Sequence, residues 1–192
     1  MRTKDFNEQE VVKKAIAVFW KKGYHDTSMY DLIEGLGIGR SSIYHAFGDK
    51  HNLFARAVDL YQREATARLM DAFENSPSVK DAVAAFLQSV VDDVFSDACP
   101  KGCFKINTEV EMASHDDKIR KIVYDDDLII EDSLFRAILR GQQSGEINPL
   151  KDAKALARFI CSTIAGMRVY SKFREDREFF NDIAATALSV LD

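Results

Sequence analysis

Proline and glycine are scarce in this chain, with 3 and 9 residues respectively among 192. Because both residues are typical of turns, their scarcity disfavours many short strands and favours long helices. Three cysteines are an odd number, which does not suit a disulfide framework. The chain is long enough to bury a core without disulfides or a structural metal, and no metal or cofactor is expected.

Long apolar runs are also missing. The first residues, MRTKDFNEQE, contain no apolar stretch, so we expect no signal peptide. No run approaches the length that crosses a bilayer, and we therefore expect a cytoplasmic protein without a membrane partner. The net charge of −5 argues against a protein that coats nucleic acid indiscriminately. Residues 1–50 are nearly neutral, with eight Lys and Arg against seven Asp and Glu.

Apolar residues recur at three- or four-residue steps along most of the chain, which predicts an all-α fold of about nine helices. Residues 104–112 alternate between apolar and polar, a strand pattern, but no partner strand is evident and a helix is the better interpretation. The expected helices run from Asn7 to Gly23, Ser28 to Leu36, Arg40 to Phe47, Lys50 to Asn75, Ser78 to Val94, Phe104 to Met112, Asp116 or Asp117 to Ser144, Asp152 to Phe173 and Asp176 to Leu191.

The second and third helices are short and are separated by Gly35 and Gly37, which predict a tight turn. Two short helices joined in this way form the minimum of a DNA-binding helix-turn-helix, whose second helix lies in the major groove. We expect a DNA-binding domain at 1–50 and a larger helical ligand-binding and dimerisation domain at 51–192. The residues expected to fix the helix crossing are Leu32, Leu36, Ile38, Ile43 and Phe47.

Three segments in this region resemble the tetracycline-repressor (TetR) family of bacterial transcriptional regulators. They are FWKKGYHDTS at 19–28, DLIEGLGI at 31–38 and SSIYHAFGDKHNLF at 41–54. The resemblance implies a homodimeric repressor that leaves a near-palindromic operator when a small-molecule effector binds. The sequence departs from the family pattern at Gly39, where a serine is common, and at Ile33, where a small residue is common.

The resemblance also implies which residues contact double-stranded operator DNA. Thr27 would cap the second helix and hold a phosphate, and Lys50 would neutralise another. Arg40 would contact a guanine edge or a phosphate at the start of the recognition helix. The full expected set is Arg2, Lys4, Thr27, Ser28, Arg40, Ser41, Ser42, Tyr44, His45 and Lys50.

The last two long helices carry apolar residues on more than one face, which suits a core and a partner surface together. Family resemblance places the dimer interface there, and the expected residues are Phe159, Ile160, Ile164, Met167, Tyr170, Ile183 and Ala187.

A further set of residues could line an effector pocket, although residues of this kind more often pack in the core. These are Phe86, Val90, Cys103, Phe104, Asn107, Glu111, Phe135, Leu139, Phe159 and Thr163.

Two alternatives to a ligand-released repressor are a thiol-based sensor and an enzyme. Cys103 at a helix N-terminus, beside Lys101 and Lys105, is the setting that lowers a thiol pKa, so Cys99 and Cys103 could sense oxidants or electrophiles. A helical metal-dependent enzyme is the remote alternative. It would need Glu-x-x-His twice, whereas Glu111 and His115 are four residues apart and occur once. No catalytic residue is expected.

Overall fold

The computed structural model describes residues 6–96 and 100–192, and over these ranges the chain is all-α, with nine helices and no strand. The all-α prediction is thereby confirmed, and residues 104–112 are helical. The helices are α1 (Glu8–Lys22), α2 (Met29–Leu36), α3 (Arg40–Phe47), α4 (Lys50–Asn75), α5 (Val79–Val94), α6 (Phe104–Met112), α7 (Asp117–Gln143), α8 (Ala153–Tyr170) and α9 (Arg177–Ser189).

Side-chain caps begin several of these helices where the sequence places Asn, Ser or Asp. The side chains of Asn7, Ser78, Asp152 and Asp176 accept backbone N–H groups of the first turns of α1, α5, α8 and α9. Each cap satisfies a donor that has no partner within its own helix. These polar positions therefore decide where the helices start.

The described residues form two compact units. The first unit combines the chain up to Glu64 with Phe104–Tyr124, and the second combines Ala65–Cys103 with Asp125–Asp192. Both α4 and α7 contribute to both units. The first unit therefore reaches beyond the boundary expected at residue 50 and includes α6, which lies far along the chain.

In the first unit, α1 packs on α2 and α6, and α2 packs on α3. The core contains Phe19, Leu32, Ile43, Phe54 and Phe104, each no more than 2% exposed. Leu36 and Phe47 are also buried, as expected for residues that fix the helix crossing, whereas Ile38 and Ile33 are half-buried.

In the second unit, α5 packs on α8 and α9, and α8 packs on α9. Its core contains Leu87, Val90, Leu134, Ile160 and Phe180. A cleft of about 350 Å³ lies between α5 and α9, and Leu87, Gln88, Arg177 and Leu188 are among its lining residues.

Candidate DNA-binding surface

The turn between α2 and α3 has the geometry that a helix-turn-helix needs. Gly37 ends α2 with a φ of 69°, a left-handed conformation that glycine adopts readily. Gly35 has a different role from the one expected, because it lies inside α2. A Cβ atom there would be 2.4 Å from Cγ2 of Val18 on α1. Gly35 therefore allows α1 and α2 to approach closely.

The N-terminus of α2 is fixed by a reciprocal capping box. The Ser28 hydroxyl accepts the N–H of Asp31 at 3.2 Å, and the Asp31 carboxylate accepts the N–H of Ser28 at 2.8 Å. Asp31 also pairs with Lys22 at the end of α1. The bond from Lys22, followed by those from Ser28, lowers the pKa of Asp31.

Thr27 does not cap α2, so that part of its expected role is wrong. Its hydroxyl donates to the carbonyl of Gly23, and its side chain is 1% exposed. Ser28 is the cap instead. Thr27 connects the end of α1 to the segment that leads into α2, and any phosphate contact by its side chain stays a prediction.

The recognition helix α3 buries one face and exposes the other. Ile43 and Phe47 are buried in the first unit. Arg40, Ser41, Tyr44 and His45 are exposed and Ser42 is half-buried. The Arg40 guanidinium lies 5.6 Å from the centroid of the Tyr44 ring, so the two side chains form one outward patch. Gly39 precedes α3 and provides no side-chain cap, as expected.

Lys50 begins α4 and extends its ammonium over an aromatic ring. The Lys50 Nζ atom is 4.4 Å from the centroid of the Tyr24 ring. Burial lowers the pKa of Lys50, while the carboxylates of Glu111, Asp26 and Asp31 act in the opposite direction. The lysine is half-buried. Its side chain lies against an aromatic ring and has acidic side chains around it.

Sequence reasoning missed Tyr24. Its ring packs against Phe54 at 4.8 Å and is perpendicular to the His51 ring at 6.1 Å, both measured between centroids. Burial first, then Asp49 and Asp116, raise the pKa of its hydroxyl. Tyr24 lies within the matched segment 19–28, but it follows the last turn of α1, where helical periodicity assigns no face.

Glu111 is engaged by the backbone next to Tyr24. Its two carboxylate oxygens accept the N–H groups of Tyr24 at 2.9 Å and His25 at 2.8 Å. These bonds connect α6 to the segment between α1 and α2. The neighbouring contact, His51 Nε2 to Asp116 Oδ2 at 2.5 Å, connects α4 to the residue before α7.

The residues expected to line an effector pocket are divided between the two units. Phe104, Asn107 and Glu111 belong to the first unit; Phe104 is buried in its core and Asn107 is half-buried. The others lie in the second unit, where Val90 is buried, Phe159 is exposed and the rest are partly buried. They are Phe86, Val90, Cys103, Phe135, Leu139, Phe159 and Thr163. That these residues contact an effector stays a prediction.

The expected dimer residues divide by exposure. Phe159 and Tyr170 are 45% and 42% exposed, and Ile164 and Ile183 are partly buried. Ile160, Met167 and Ala187 are at most 1% exposed because they face the core of the second unit. The structure therefore corrects their assignment, since a partner cannot reach these three side chains at the surface. Val169 and Phe173 add exposed apolar area beside Tyr170.

Three of the expected residues, Arg2, Lys4 and Cys99, lie outside the described ranges. Cys103 directly precedes α6 and is half-buried. Within residues 6–96 and 100–192, no group of three or more His, Cys, Asp or Glu side chains is arranged to hold a metal ion. Across the same ranges, the helices are too short or too polar to span a membrane.

Comparisons with known proteins agree with this arrangement. A family model described as "Bacterial regulatory proteins, tetR family" matches residues 11–57. A second, described as "Tetracyclin repressor-like, C-terminal domain", matches residues 79–187. The two matches cover both the helix-turn-helix and most of the second unit.

Two relatives align over nearly the whole chain. The uncharacterized HTH-type transcriptional regulator YezE of Bacillus subtilis (strain 168) is 33% identical over 192 residues, covering 100% of this chain and 99% of the relative. The HTH-type transcriptional repressor ComR of Escherichia coli (strain K12) is 30% identical over 188 residues, covering 97% and 90%.

Among solved structures, a cysteine mutant of the TetR family transcriptional regulator CifR, complexed with 26bp double-strand operator DNA, is similar over the full length of both chains. The TM-score is 0.87 and the identity is 26%. The family models, the full-length relatives and the exposed recognition helix together show that this chain belongs to the TetR family of bacterial transcriptional regulators.

Proposed function

We propose that this chain is a homodimeric transcriptional repressor that binds a near-palindromic operator and acts in the cytoplasm without catalysing a reaction. The observation that carries the proposal is the exposed Arg40 and Tyr44 patch on α3, the second helix of the helix-turn-helix. Support comes from CifR, whose structure contains operator DNA, and from ComR, a named repressor.

Each side of the surface has a proposed task. Arg40, Tyr44 and His45 enter the major groove, where an arginine discriminates guanine through its O6 and N7 atoms. The hydroxyls of Ser28, Ser41 and Ser42 and the ammonium of Lys50 contact phosphates and fix the register. Thr27 orients the segment before α2, and the arm of Arg2 and Lys4 adds phosphate contacts.

Dimerisation would place two such surfaces on two operator half-sites. Phe159 and Tyr170, both on α8, supply the exposed apolar area that a partner covers, together with the partly buried Ile164 and Ile183. A small-molecule effector would bind one of two conformations more tightly and so shift the population away from the DNA-binding form.

The test is a gel-shift series on the DNA that flanks the chain's own gene. We expect a specific shift whose affinity falls steeply with salt, and loss of that shift in the variant with Arg40→Ala and Tyr44→Ala. The control carries Arg120→Ala and Tyr124→Ala, an exposed pair at the same four-residue spacing on α7. Equal loss in both variants, or no specific shift with the wild-type chain, would contradict the proposal.

A further inference from the structure

The ammonium of Lys50 lies over the ring of Tyr24. A lysine side chain has several freely rotating bonds, and fixing it at one phosphate costs conformational entropy unless it is already restrained. The Tyr24 ring, 4.4 Å from the Lys50 Nζ atom, provides such a restraint through a cation–π contact.

Tyr24 is itself held from two directions. Its ring packs against Phe54, which is 1% exposed in the core of the first unit. Its backbone N–H donates to Glu111 at 2.9 Å, and the next N–H, of His25, donates to the other carboxylate oxygen at 2.8 Å. Hydrogen bonds to a charged acceptor are stronger than neutral ones. The ring is therefore fixed on the core side, and the backbone is fixed by α6.

Gly23 shows how closely Glu111 approaches this segment. A Cβ atom at Gly23 would lie 2.8 Å from Oε2 of Glu111, and Gly23 has a φ of 83°. A side chain at this position would both strain the backbone and displace the carboxylate. The absence of a side chain at residue 23 is what lets Glu111 reach two consecutive N–H groups.

We propose that Tyr24 and Glu111 are positioning residues for Lys50: the Tyr24 ring holds the ammonium toward a DNA phosphate, and Glu111 fixes the backbone that carries the ring. The proposal rests on the phosphate contact of Lys50 that is part of the proposed function. Glu111 lies on α6, so the backbone that carries the Tyr24 ring is connected to that helix.

A double-mutant cycle tests the first half. The variants are Tyr24→Leu, Lys50→Ala and their combination, with Tyr24→Phe as the conservative control, and the probe is the duplex that the wild-type chain shifts. We expect Lys50→Ala to weaken binding roughly tenfold and to reduce the salt slope by about 1 per contact. Tyr24→Leu weakens binding about threefold, which is the scale of an exposed cation–π contact. It has no effect in the Lys50→Ala background, and Tyr24→Phe behaves as wild type.

Additive losses in the cycle would overturn this half, since they would place the effect of Tyr24 elsewhere than on Lys50. A second measurement needs neither DNA nor a variant. NMR of the wild-type chain should show the Lys50 methylene protons next to Nζ shifted upfield by the ring, and unshifted signals would overturn the proposal. A wild-type chain that binds no duplex but shows the shift would contradict only the proposed function.

The role of Glu111 is tested with a charge-matched control. Glu111→Gln removes the carboxylate, and Asp26→Asn removes another charge that acts on Lys50 but accepts neither of the two N–H groups. We expect Glu111→Gln to speed hydrogen exchange at Tyr24 and His25 and to weaken DNA binding, most strongly at low salt, because the loss acts through the phosphate contact of Lys50. Asp26→Asn should slightly strengthen binding at low salt only, because a purely electrostatic effect is screened. Identical behaviour of the two variants would overturn the role of Glu111.

Discussion

At the scale of single residues, Gly39 leaves α3 without a side-chain cap although its backbone has the extended conformation of a cap, with φ −68° and ψ 157°. A Cβ atom there would contact nothing within 4 Å. We predict that Gly39→Ser is more stable than Gly39→Ala by about 1 kcal/mol, because only the hydroxyl can accept an N–H of the first turn. Urea denaturation at one fixed protomer concentration measures the difference, and equal midpoints for both variants would contradict it.

The exchange of roles between Thr27 and Ser28 shows what a sequence leaves open at this scale. Two adjacent hydroxyl residues precede α2, and either can cap a helix. The choice depends on direction: the Thr27 hydroxyl faces back to the Gly23 carbonyl, while Ser28 faces Asp31. The direction of each side chain is set by tertiary packing of the segment. Local sequence patterns do not record this packing, which is also why they gave no signal for Tyr24.

At the scale of elements, the close approach of α1 and α2 depends on Gly35. Alanine at this position would bring its Cβ atom 2.4 Å from Val18 Cγ2, and a valine has little rotameric freedom in a helix. We predict that Gly35→Ala lowers the free energy of unfolding by about 1 kcal/mol, since overpacking outweighs the gain in helix propensity. Thermal and urea unfolding would measure it.

The matched variant combines Gly35→Ala with Val18→Ala, which removes the methyl groups that clash. The double variant should lose less stability than the sum of the two single variants, because one substitution makes room for the other. Strict additivity would show that the two helices do not meet at this point.

The N-terminus of α5 depends on Glu146, whose carboxylate accepts the Ser78 hydroxyl at 2.6 Å and the N–H groups of Val79 and Lys80 at 3.0 and 2.8 Å. Burial alone would raise the pKa of Glu146, but these hydrogen bonds outweigh it and lower the pKa below the ordinary 4.5. A carboxyl group whose pKa is lowered by folding stabilises the fold at any pH above its pKa in the unfolded chain. This contribution is lost as the pH falls through its pKa in the folded protein.

We therefore predict that Glu146→Gln is less stable than wild type at pH 7 and that the gap narrows as pH falls below 4.5. Denaturation curves collected across this range test the prediction. Glu178→Gln, at an exposed position in the first turn of α9, is the control and should show no comparable narrowing. A gap that is independent of pH would contradict the proposed cause.

Helix positions were largely predictable because their signals are local. Capping residues Asn7, Ser78, Asp152 and Asp176 each mark a start that the structure confirms. Residues 104–112 needed a further argument, since their alternation is a strand pattern. The buried face of this helix contains Phe104, Lys105, Thr108 and Met112, while Val110 is exposed, so the burial follows helical spacing and not the alternation of the sequence.

At the scale of the whole molecule, exposed apolar residues on α8 predict a dimer. We expect light scattering at micromolar concentration to give twice the chain mass of 21.7 kDa, and Phe159→Glu to give the monomer and to abolish the specific gel shift. Leu150→Glu is the control, since Leu150 is 92% exposed but lies between α7 and α8. A monomeric wild type would contradict the interface.

The sequence alone could not show which segments of the chain combine in the first unit, because this depends on contacts between residues far apart along the chain. Glu111 meets Tyr24 across 87 positions, and no periodicity or spacing records such a pairing. Contacts between distant residues also decide which face of a helix is buried. Ile160 is fully buried, whereas its neighbour in the sequence, Phe159, is 45% exposed. The helix-turn-helix itself is local, and for that reason it was recognisable.

The two-segment first unit has a practical consequence for anyone who wishes to exchange DNA specificities between regulators of this kind. A graft of residues 1–50 alone would separate Phe19 and Leu32 from Phe54, Phe104 and Ile119, with which they share one core. The recipient would have to supply matching surfaces at the α4 and α6 positions. A transplant that carries the chain up to Glu64 together with Phe104–Tyr124 keeps these contacts within the donor sequence.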